Sequence, residues 1–267
     1  MKTRSMSRFA TSSGFIEYEI LEAAAENSGG AATLTLLHNF MSTGRMAWGA
    51  LLAELNQCYR ILLLDLPGHG RSEGYPPGFD HIAIAQQVGT LMQAVGADRG
   101  HLAGCSSGGM IAQLLVQHQL VTPATLTLIS TTYSVNPVTT GVATTLDPQD
   151  FRASANWLTA TAQLHDVHRN PGYFDTELLP GFRQLTPETA IDLPLAALGR
   201  WTLPVCLVHG GEDEVFPVAI VWQMAQVLHD AEVHVVPGQG HALIFRQPGV
   251  VSRLMLNFLA IHPAGIR

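Results

Sequence analysis

The chain has 267 residues, 47% of them hydrophobic and 13% charged, which is enough apolar material for one globular domain with a substantial core. The net charge of -7 and the lack of any run of Lys or Arg argue against nucleic acid as a partner. No apolar stretch has the length of a signal peptide or a membrane span, so we expect a soluble, cytoplasmic protein with no membrane partner.

The pattern of the first quarter of the chain predicts three strands and one helix. Residues 15–21 have the period-two pattern of a half-exposed antiparallel edge strand, and a turn follows at 26–30. Residues 34–37 and 59–64 are apolar throughout, which is typical of strands covered on both faces, and the segment 47–55 between them has helical spacing. A strand, a helix and a second buried strand together predict a parallel sheet.

A glycine-rich loop, DLPGHGRS, follows at residues 65–72. A Gly-x-Gly after a strand can open a dinucleotide site, but the third glycine of that fingerprint is replaced here by Glu73. Neighbouring prolines also oppose a helix at this point. We therefore interpret the loop as a structural turn and expect no cofactor.

The next strand ends at a serine between two glycines. Residues 82–95 predict a helix, and the apolar run that starts at His101 stops at Ser106, with Gly104 and Gly108 two positions away on either side. A tight strand-to-helix turn needs glycine at both positions and pushes the serine hydroxyl outward. On its own this pattern is weak, because a chain with 25 glycines produces it by chance.

Residues 133–198 differ in composition and pattern from the rest of the chain. After a short buried strand at 125–129, this region contains prolines and scattered aromatic residues but no strand-like run. Segments 151–164 and 190–198 could be helices, so we interpret the region as a helical insertion in the order of the sheet. His165 and His168 lie three residues apart without a third metal-ligand candidate, so we expect solvated histidines and no metal site.

The sheet resumes in the last quarter of the chain. Residues 204–208 form a buried strand whose loop carries Asp213, a helix follows, and residues 233–236 form a last strand before His241. Residues 245–259 predict a closing helix. The three cysteines, Cys58, Cys105 and Cys206, lie in or beside apolar runs, and we expect buried, reduced thiols.

Ser106, Asp213 and His241 therefore each follow a predicted buried strand. The loops after parallel strands emerge at the same carboxyl edge of a sheet. A serine hydroxyl is a weak nucleophile at neutral pH and needs an imidazole to take its proton and an acid to orient that imidazole. The order of the three residues predicts such an arrangement.

At this point the sequence resembles the α/β-hydrolase family over essentially its whole length. The resemblance rests on GCSSG at 104–108, DLPGHGRS at 65–72, GGED at 210–213 with a proline at 217, and GH at 240–241. It implies a mostly parallel twisted sheet with helices on both faces, a core of residues 1–132 and 199–267, and a helical cap at 133–198. It also implies Ser106 as nucleophile, His241 as general base and Asp213 as orienting acid. Glu212 and Glu214 are the alternative acids, although the family spacing selects Asp213.

The oxyanion site needs two N–H groups, and one is expected from Ser107 at the helix start. The other should come from the loop after the first buried strand, where His38-Asn39 replaces the common His-Gly pair; Phe40 is the first choice and Met41 the reserve. The run NFMST at 39–43 looks similar to the corresponding loop of β-ketoadipate enol-lactone hydrolases.

Three functions remain open. The leading hypothesis is hydrolysis of a small carboxylic ester or lactone through an acyl-enzyme; the alternatives are a carbon-carbon bond hydrolase acting on a β-diketone-like substrate and a ligand-binding protein with little turnover. A serine nucleophile disfavours the dehalogenase and epoxide-hydrolase branches, which use an aspartate. The cap arginines could meet a substrate carboxylate, although solvent-facing side chains are the simpler interpretation. The cap aromatics could form an apolar pocket or only attach the cap. These candidates are Arg152, Arg169 and Arg183, and Trp157, Phe174 and Phe182.

Overall fold

The computed structural model of the protein describes residues 6–24, 31–75, 79–144 and 155–264. Eight strands form one sheet in the order β1-β2-β4-β3-β5-β6-β7-β8. The predicted turn at 26–30 lies outside the described residues. The strands are β1 (Met6–Thr11), β2 (Gly14–Leu21), β3 (Thr33–Leu37), β4 (Arg60–Leu64), β5 (His101–Cys105), β6 (Thr125–Ile129), β7 (Val205–Gly210) and β8 (Ala231–Val236).

The pairing of the strands explains why one sheet edge carries three loops of interest. Strands β3 to β8 pair in parallel, as the apolar runs predict, whereas β1 and β2 add to the sheet in antiparallel pairs. The prediction that residues 15–21 form an antiparallel strand is confirmed, but their predicted position at the sheet edge is wrong, because β1 covers that edge. Strand β1 was missed because its residues alternate between exposed and half-buried and include no apolar run.

Helices lie between the strands and at the chain end, and two predicted helices are broken. The predicted helix at 47–55 is interrupted at Gly49, and the predicted closing helix is interrupted before Pro248. The helices are α1 (Gly44–Trp48), α2 (Leu52–Cys58), α3 (His81–Ala94), α4 (Ser107–Gln117), α5 (Pro137–Thr140), α6 (Ala155–Asp166), α7 (Leu179–Arg183), α8 (Leu195–Leu198), α9 (Ala219–Val227), α10 (Leu243–Arg246) and α11 (Pro248–Ile261), with a π-helical turn at Phe174–Leu178.

The core consists of two apolar layers, one on each face of the sheet. Along β4, Leu62 and Leu64 pack into one layer with α3, α4 and α9, while Ile61 and Leu63 pack into the other with α1, α2 and α11. Successive side chains of a strand point to opposite faces, so a strand buried on both faces must be apolar at every position. This is the physical reason for the continuous apolar runs, and the architecture is the α/β-hydrolase fold.

The insertion at 133–198 lies between β6 and β7. Its described residues form α5, α6, the π-helical turn, α7 and α8. The predicted helix at 190–198 is reduced to α8, because Ser134 and Asp192 form an isolated β-bridge and the Val135 amide donates to the Ile191 carbonyl at 3.0 Å. Residues 151–154 of the other predicted helix lie outside the described residues. No helix in the described part of the chain is long and apolar enough to cross a membrane.

Candidate active site

Ser106 occupies a strained turn between β5 and α4. Its backbone φ is 51° and its ψ is -121°, a conformation that costs on the order of 1–3 kcal/mol for a residue with a side chain. A Cβ at Gly104 would lie 2.3 Å from the Gly108 carbonyl oxygen, and a Cβ at Gly108 would lie 2.4 Å from the His38 carbonyl oxygen. Both glycines are therefore required for the strand, turn and helix to approach one another.

Neighbouring backbone holds this turn in place. The Ser106 amide donates to the Ile129 carbonyl at 2.9 Å, and the Thr131 hydroxyl donates to the Ser106 carbonyl at 2.7 Å. These bonds tie the turn to β6 and to the loop that follows it. Thr131 was not singled out from the sequence, because no local pattern distinguishes it from the many other threonines of the chain.

His241 lies within hydrogen-bond distance of both Ser106 and Asp213. Its Nε2 is 3.0 Å from the Ser106 Oγ, and its Nδ1 is 3.1 and 3.0 Å from the two carboxylate oxygens of Asp213. A carboxylate only accepts hydrogen bonds, so the proton of a neutral His241 lies on Nδ1 and Nε2 can accept from the Ser106 hydroxyl. We call these three residues the Ser-His-Asp array.

The Asp213 carboxylate is buried and fully engaged. Its Oδ1 accepts the backbone N–H groups of Val215 and Phe216 at 2.9 Å each, and its Oδ2 lies 3.3 Å from the His209 Nε2. Burial alone would raise the pKa of Asp213, but the charge and hydrogen bond of His241, together with His209 and the Phe216 amide, lower it below its ordinary value. The group is therefore an ionised carboxylate at neutral pH.

The two loops that carry Asp213 and His241 are in contact. A Cβ at Gly210 would lie 2.3 Å from the Gln239 carbonyl oxygen, so only glycine at the end of β7 allows the loops to meet. Glu214 accepts the His241 backbone N–H at 3.0 Å, and Glu212 is exposed. Of the three acids considered from the sequence, Asp213 is therefore the one that contacts the His241 ring.

Comparison with known proteins leads to the same family that the sequence motifs resemble. A model of the "Alpha/beta hydrolase family" matches residues 36–254. The chain belongs to this family. Its match spans most of the sheet, the insertion and all three residues of the Ser-His-Asp array.

This alpha/beta hydrolase is similar to proteins whose names describe different activities. One is the "Dihydrolipoyllysine-residue acetyltransferase component of acetoin cleaving system" of Pseudomonas putida, 26% identical over 87% of this chain, which spans 65% of the length of that relative. Another is "Putative carbamate hydrolase RutD" of Acinetobacter baylyi, 25% identical over 91% of this chain and 98% of that protein. The crystal structure of the enol-lactonase from Burkholderia xenovorans superposes with a TM-score of 0.74 at 17% identity, covering 95% of this chain and all of the other, which shows a shared fold.

The expected oxyanion donors of this hydrolase lie close together, but one of them is engaged. Ser107 is the first residue of α4, and its hydroxyl accepts the Phe40 backbone N–H at 2.5 Å. Met41, the reserve donor, has a backbone φ of 59°. The residue after Ser106 thus places its own side chain on the amide that was expected to be an oxyanion donor, a contact that the sequence did not predict.

A small cavity of about 80 Å³ opens beside Ser106 and His241. An apolar cavity of about 150 Å³ accommodates benzene, so this one suits a group of only a few heavy atoms. Phe182 and the 41% exposed Trp157 line it. Phe174 does not: it is buried in an apolar cluster with Phe40 and Phe182, so the prediction that it lines the pocket is wrong and its role there is packing.

None of the described residues that line the cavity is Lys or Arg. Arg152 lies outside the described residues. Arg169 is mostly buried instead of solvent-facing, with its guanidinium 3.5 Å from Glu73 and 5.3 Å above the Tyr173 ring, whereas Arg183 is exposed as expected. The described arginines therefore give no site for a substrate carboxylate in the cavity.

Several histidines near the cavity loops are buried, contrary to one expectation. His165 is fully buried and its Nδ1 accepts the Gly70 N–H at 2.9 Å, although His168 is exposed as predicted. His38 donates from Nδ1 to the Asn39 carbonyl at 2.7 Å and accepts the Leu66 N–H at 2.8 Å, which joins the loop after β3 to the DLPGHGRS loop. Burial is the main cause that lowers the pKa of four histidines to about 4, and we call them the buried histidine group: His38, His81, His101 and His165.

Two of the three cysteines are buried and one is exposed. Cys105 and Cys206 are buried free thiols, as expected, and burial is the main cause that raises their pKa values. Cys58 is exposed at the end of α2, so the prediction that it is buried is wrong.

Proposed function

We propose that this alpha/beta hydrolase cleaves a small, uncharged carboxylic ester or lactone, with Ser106 as the nucleophile of a covalent acyl-enzyme. The observation that carries the proposal is the Ser-His-Asp array, in which Ser106 Oγ lies 3.0 Å from His241 Nε2 beside the small cavity. The carboxylate of Asp213 holds the tautomer in which Nε2 can accept a proton.

Acylation begins when the Ser106 oxygen attacks the substrate carbonyl carbon and His241 Nε2 takes the hydroxyl proton. The negative charge that develops on the carbonyl oxygen is stabilised by the N–H groups of Ser107 and Phe40, once the Phe40 amide leaves the Ser107 hydroxyl. The His241 imidazolium then gives its proton to the leaving alkoxide, the carbon-oxygen bond breaks and the acyl group stays on Ser106.

Deacylation repeats these steps with water. His241 Nε2 takes a proton from a water molecule while the water oxygen attacks the acyl carbonyl carbon. The proton is then given to the Ser106 oxygen, and the carboxylic acid leaves. In a lactone the alcohol formed in acylation remains part of the acyl group, so ring opening gives a hydroxy acid. The insertion acts as a cap in this proposal, because Trp157 and Phe182 from it line the cavity.

The cavity supports the choice of substrate class. Its volume of about 80 Å³ and the absence of Lys and Arg from its described lining favour a short, uncharged acyl group over a long chain or a carboxylate. Trp157 and Phe182 are expected to set acyl-chain preference, because they form part of the apolar wall.

The test compares wild type with Ser106→Ala on 4-nitrophenyl acetate and on a small lactone. We expect many turnovers by wild type, a loss of roughly 10⁴-fold or more in kcat for Ser106→Ala, and labelling of Ser106 by a fluorophosphonate that abolishes turnover. Ser13→Ala, at an exposed serine, is the matched control and should be fully active.

Three results would contradict the proposal. Cleavage of a β-diketone without turnover of any ester or lactone would assign a carbon-carbon hydrolase, and ligand binding without any turnover would assign a binding protein. Full esterase activity in Ser106→Ala would show that another group carries the reaction.

A further inference from the structure

Two polar side chains in the cavity wall lack the partners that buried polar groups normally have. Asn39 and His81 both line the cavity beside Ser106. In the described part of the structure, the Asn39 Oδ1 atom and both ring nitrogens of His81 are buried without a hydrogen-bond partner. Leaving a buried polar atom unpaired costs about 1–3 kcal/mol, so a bound substrate that pairs with these atoms recovers that cost.

The orientation of the Asn39 amide is set by one hydrogen bond. Its Nδ2 donates to the Phe40 backbone carbonyl at 3.0 Å. Rotating the amide by a half turn would place its oxygen against that carbonyl oxygen, so the bond assigns the two amide atoms. The Asn39 Oδ1 is therefore the atom left in the cavity wall, and it can only accept a hydrogen bond.

The His81 ring is neutral and also offers an acceptor. Burial lowers its pKa to about 4, against smaller opposing effects of Asp80 and of the Ala190 backbone. At neutral pH the ring thus carries one N–H and one lone pair. Whichever nitrogen carries the proton, the other keeps its lone pair, so one of the two unpaired ring nitrogens is an acceptor.

We propose that Asn39 Oδ1 and the acceptor nitrogen of His81 form a subsite for a neutral hydrogen-bond donor, a hydroxyl or an amide N–H, next to the scissile carbonyl of the substrate. The inference rests on the proposed ester or lactone hydrolase function and narrows its substrates to hydroxy- or amido-substituted acyl groups. The donor lies near the carbonyl because Asn39 directly precedes Phe40, whose amide is the proposed oxyanion donor.

The charge of the wall selects a neutral donor. The described lining residues include no Asp or Glu, so an ammonium group would lose its hydration without gaining a counter-charge. A carboxylate would bring its negative charge into a wall whose described residues include no Lys or Arg. A hydroxyl or an amide N–H has one proton to donate, which in this proposal the two acceptors share as a three-centre hydrogen bond. A hydroxyacetyl group has a size suited to the cavity of about 80 Å³.

The experiment compares 4-nitrophenyl hydroxyacetate with 4-nitrophenyl propionate, in which a methyl group replaces the hydroxyl. The ratio of their kcat/KM values is divided by the ratio of their rates with hydroxide, which removes the intrinsic reactivity. We expect wild type to favour the hydroxyacetate at least tenfold by this measure, because sites built for a donor reject analogues that lack it. His81→Phe and Asn39→Leu should each lower the ratio about tenfold.

The control is His101→Phe, the same substitution at a buried histidine whose Nδ1 pairs with the Thr125 hydroxyl and which does not line the cavity. Its ratio should equal that of wild type. Because Asn39 and His81 lie on different elements, either variant alone decides the question if the other does not fold. A ratio near one in wild type, or a ratio unchanged in the folded variants, would overturn the subsite.

Failure of the proposed function gives a different result. If neither ester shows turnover that depends on Ser106, the hydrolase proposal fails, and the subsite is tested by NMR titration of wild type with methyl hydroxyacetate and with methyl propionate, which has no hydrogen-bond donor. Tighter binding of the hydroxyacetate that is lost in His81→Phe supports the acceptor subsite. Equal affinities for the two methyl esters overturn it.

Discussion

Replacing Asp213 by asparagine substitutes an NH₂ group for one carboxylate oxygen and should reverse the direction of the hydrogen bond between this residue and His241. In wild type, Oδ1 accepts two backbone N–H groups at 2.9 Å, so the single oxygen of asparagine must take that position. The new NH₂ group then occupies the Oδ2 position, 3.0 Å from His241 Nδ1. It can only donate there, so His241 must accept at Nδ1 and carry its proton on Nε2.

In that tautomer the imidazole donates to the Ser106 oxygen across 3.0 Å and cannot take its proton. We expect kcat on 4-nitrophenyl acetate to fall by about 10⁴-fold, which corresponds to about 5.5 kcal/mol of transition-state stabilisation. The thermal unfolding midpoint should change little, because asparagine keeps the two backbone hydrogen bonds that anchor the loop.

The assay is nitrophenolate release at pH 7.5, combined with circular dichroism and thermal unfolding of each variant. Glu212→Gln, the same change at an exposed carboxylate one residue earlier, is the control and should retain activity within about twofold. Retention of more than a tenth of wild-type kcat by a folded Asp213→Asn protein would refute the assigned role of Asp213.

Three further predictions concern the elbow and the buried histidine group. Ser107→Ala removes the hydroxyl that accepts the Phe40 N–H, so the amide is free for the oxyanion and kcat/KM for the acetate ester should rise about two- to tenfold. Gly108→Ala places a Cβ 2.4 Å from the His38 carbonyl oxygen, so kcat should fall at least tenfold and the unfolding midpoint should drop, whereas Gly249→Ala, with open space around its Cβ, should do neither. The buried histidine group has pKa values of about 4 in the folded protein and near 6.5 in the unfolded chain. Between these two pH values the unfolded chain binds more protons than the folded protein. The free energy of unfolding, measured in urea, should therefore decrease as the pH falls from 6.5 towards 4, by up to about 1.4 kcal/mol per pH unit for each histidine.

Each of these three predictions would be contradicted by a specific result. A tenfold loss of kcat/KM in Ser107→Ala would mean that the serine hydroxyl itself donates to the oxyanion. A fully active Gly108→Ala would show that the elbow tolerates a backbone shift at this point. A free energy of unfolding that is constant between pH 6.5 and 5 would show that the four histidines are not held neutral by burial.

Much of the site follows from local sequence. Ser106 and Asp213 each come after a strand that is buried along its whole length, and His241 follows the half-buried edge strand β8, which was predicted to be buried. Parallel strands end at the same edge of the sheet, where their loops meet. The glycines around Ser106 are equally local, because the turn itself excludes a Cβ there. For this reason the parallel strands and the residues of the array could be predicted without coordinates.

Contacts between distant segments decided the rest. The edge position of β1, the burial of His165 and the packing role of Phe174 depend on which segments cover these residues, and no local period records that. The engagement of the Phe40 amide by the Ser107 hydroxyl joins residues 67 positions apart.

The same distinction applies to the proposed subsite. In the sequence, His81 is one of 12 histidines and Asn39 is a departure from a family pattern. Whether a buried polar atom has a partner depends on every group that folding brings within about 3.5 Å of it. The sequence by itself therefore determined the fold, the family resemblance and the order of the reacting residues, whereas the size of the cavity and its unpaired acceptors were decided only by the packing of the loop after β3, the start of α3 and the insertion around Ser106.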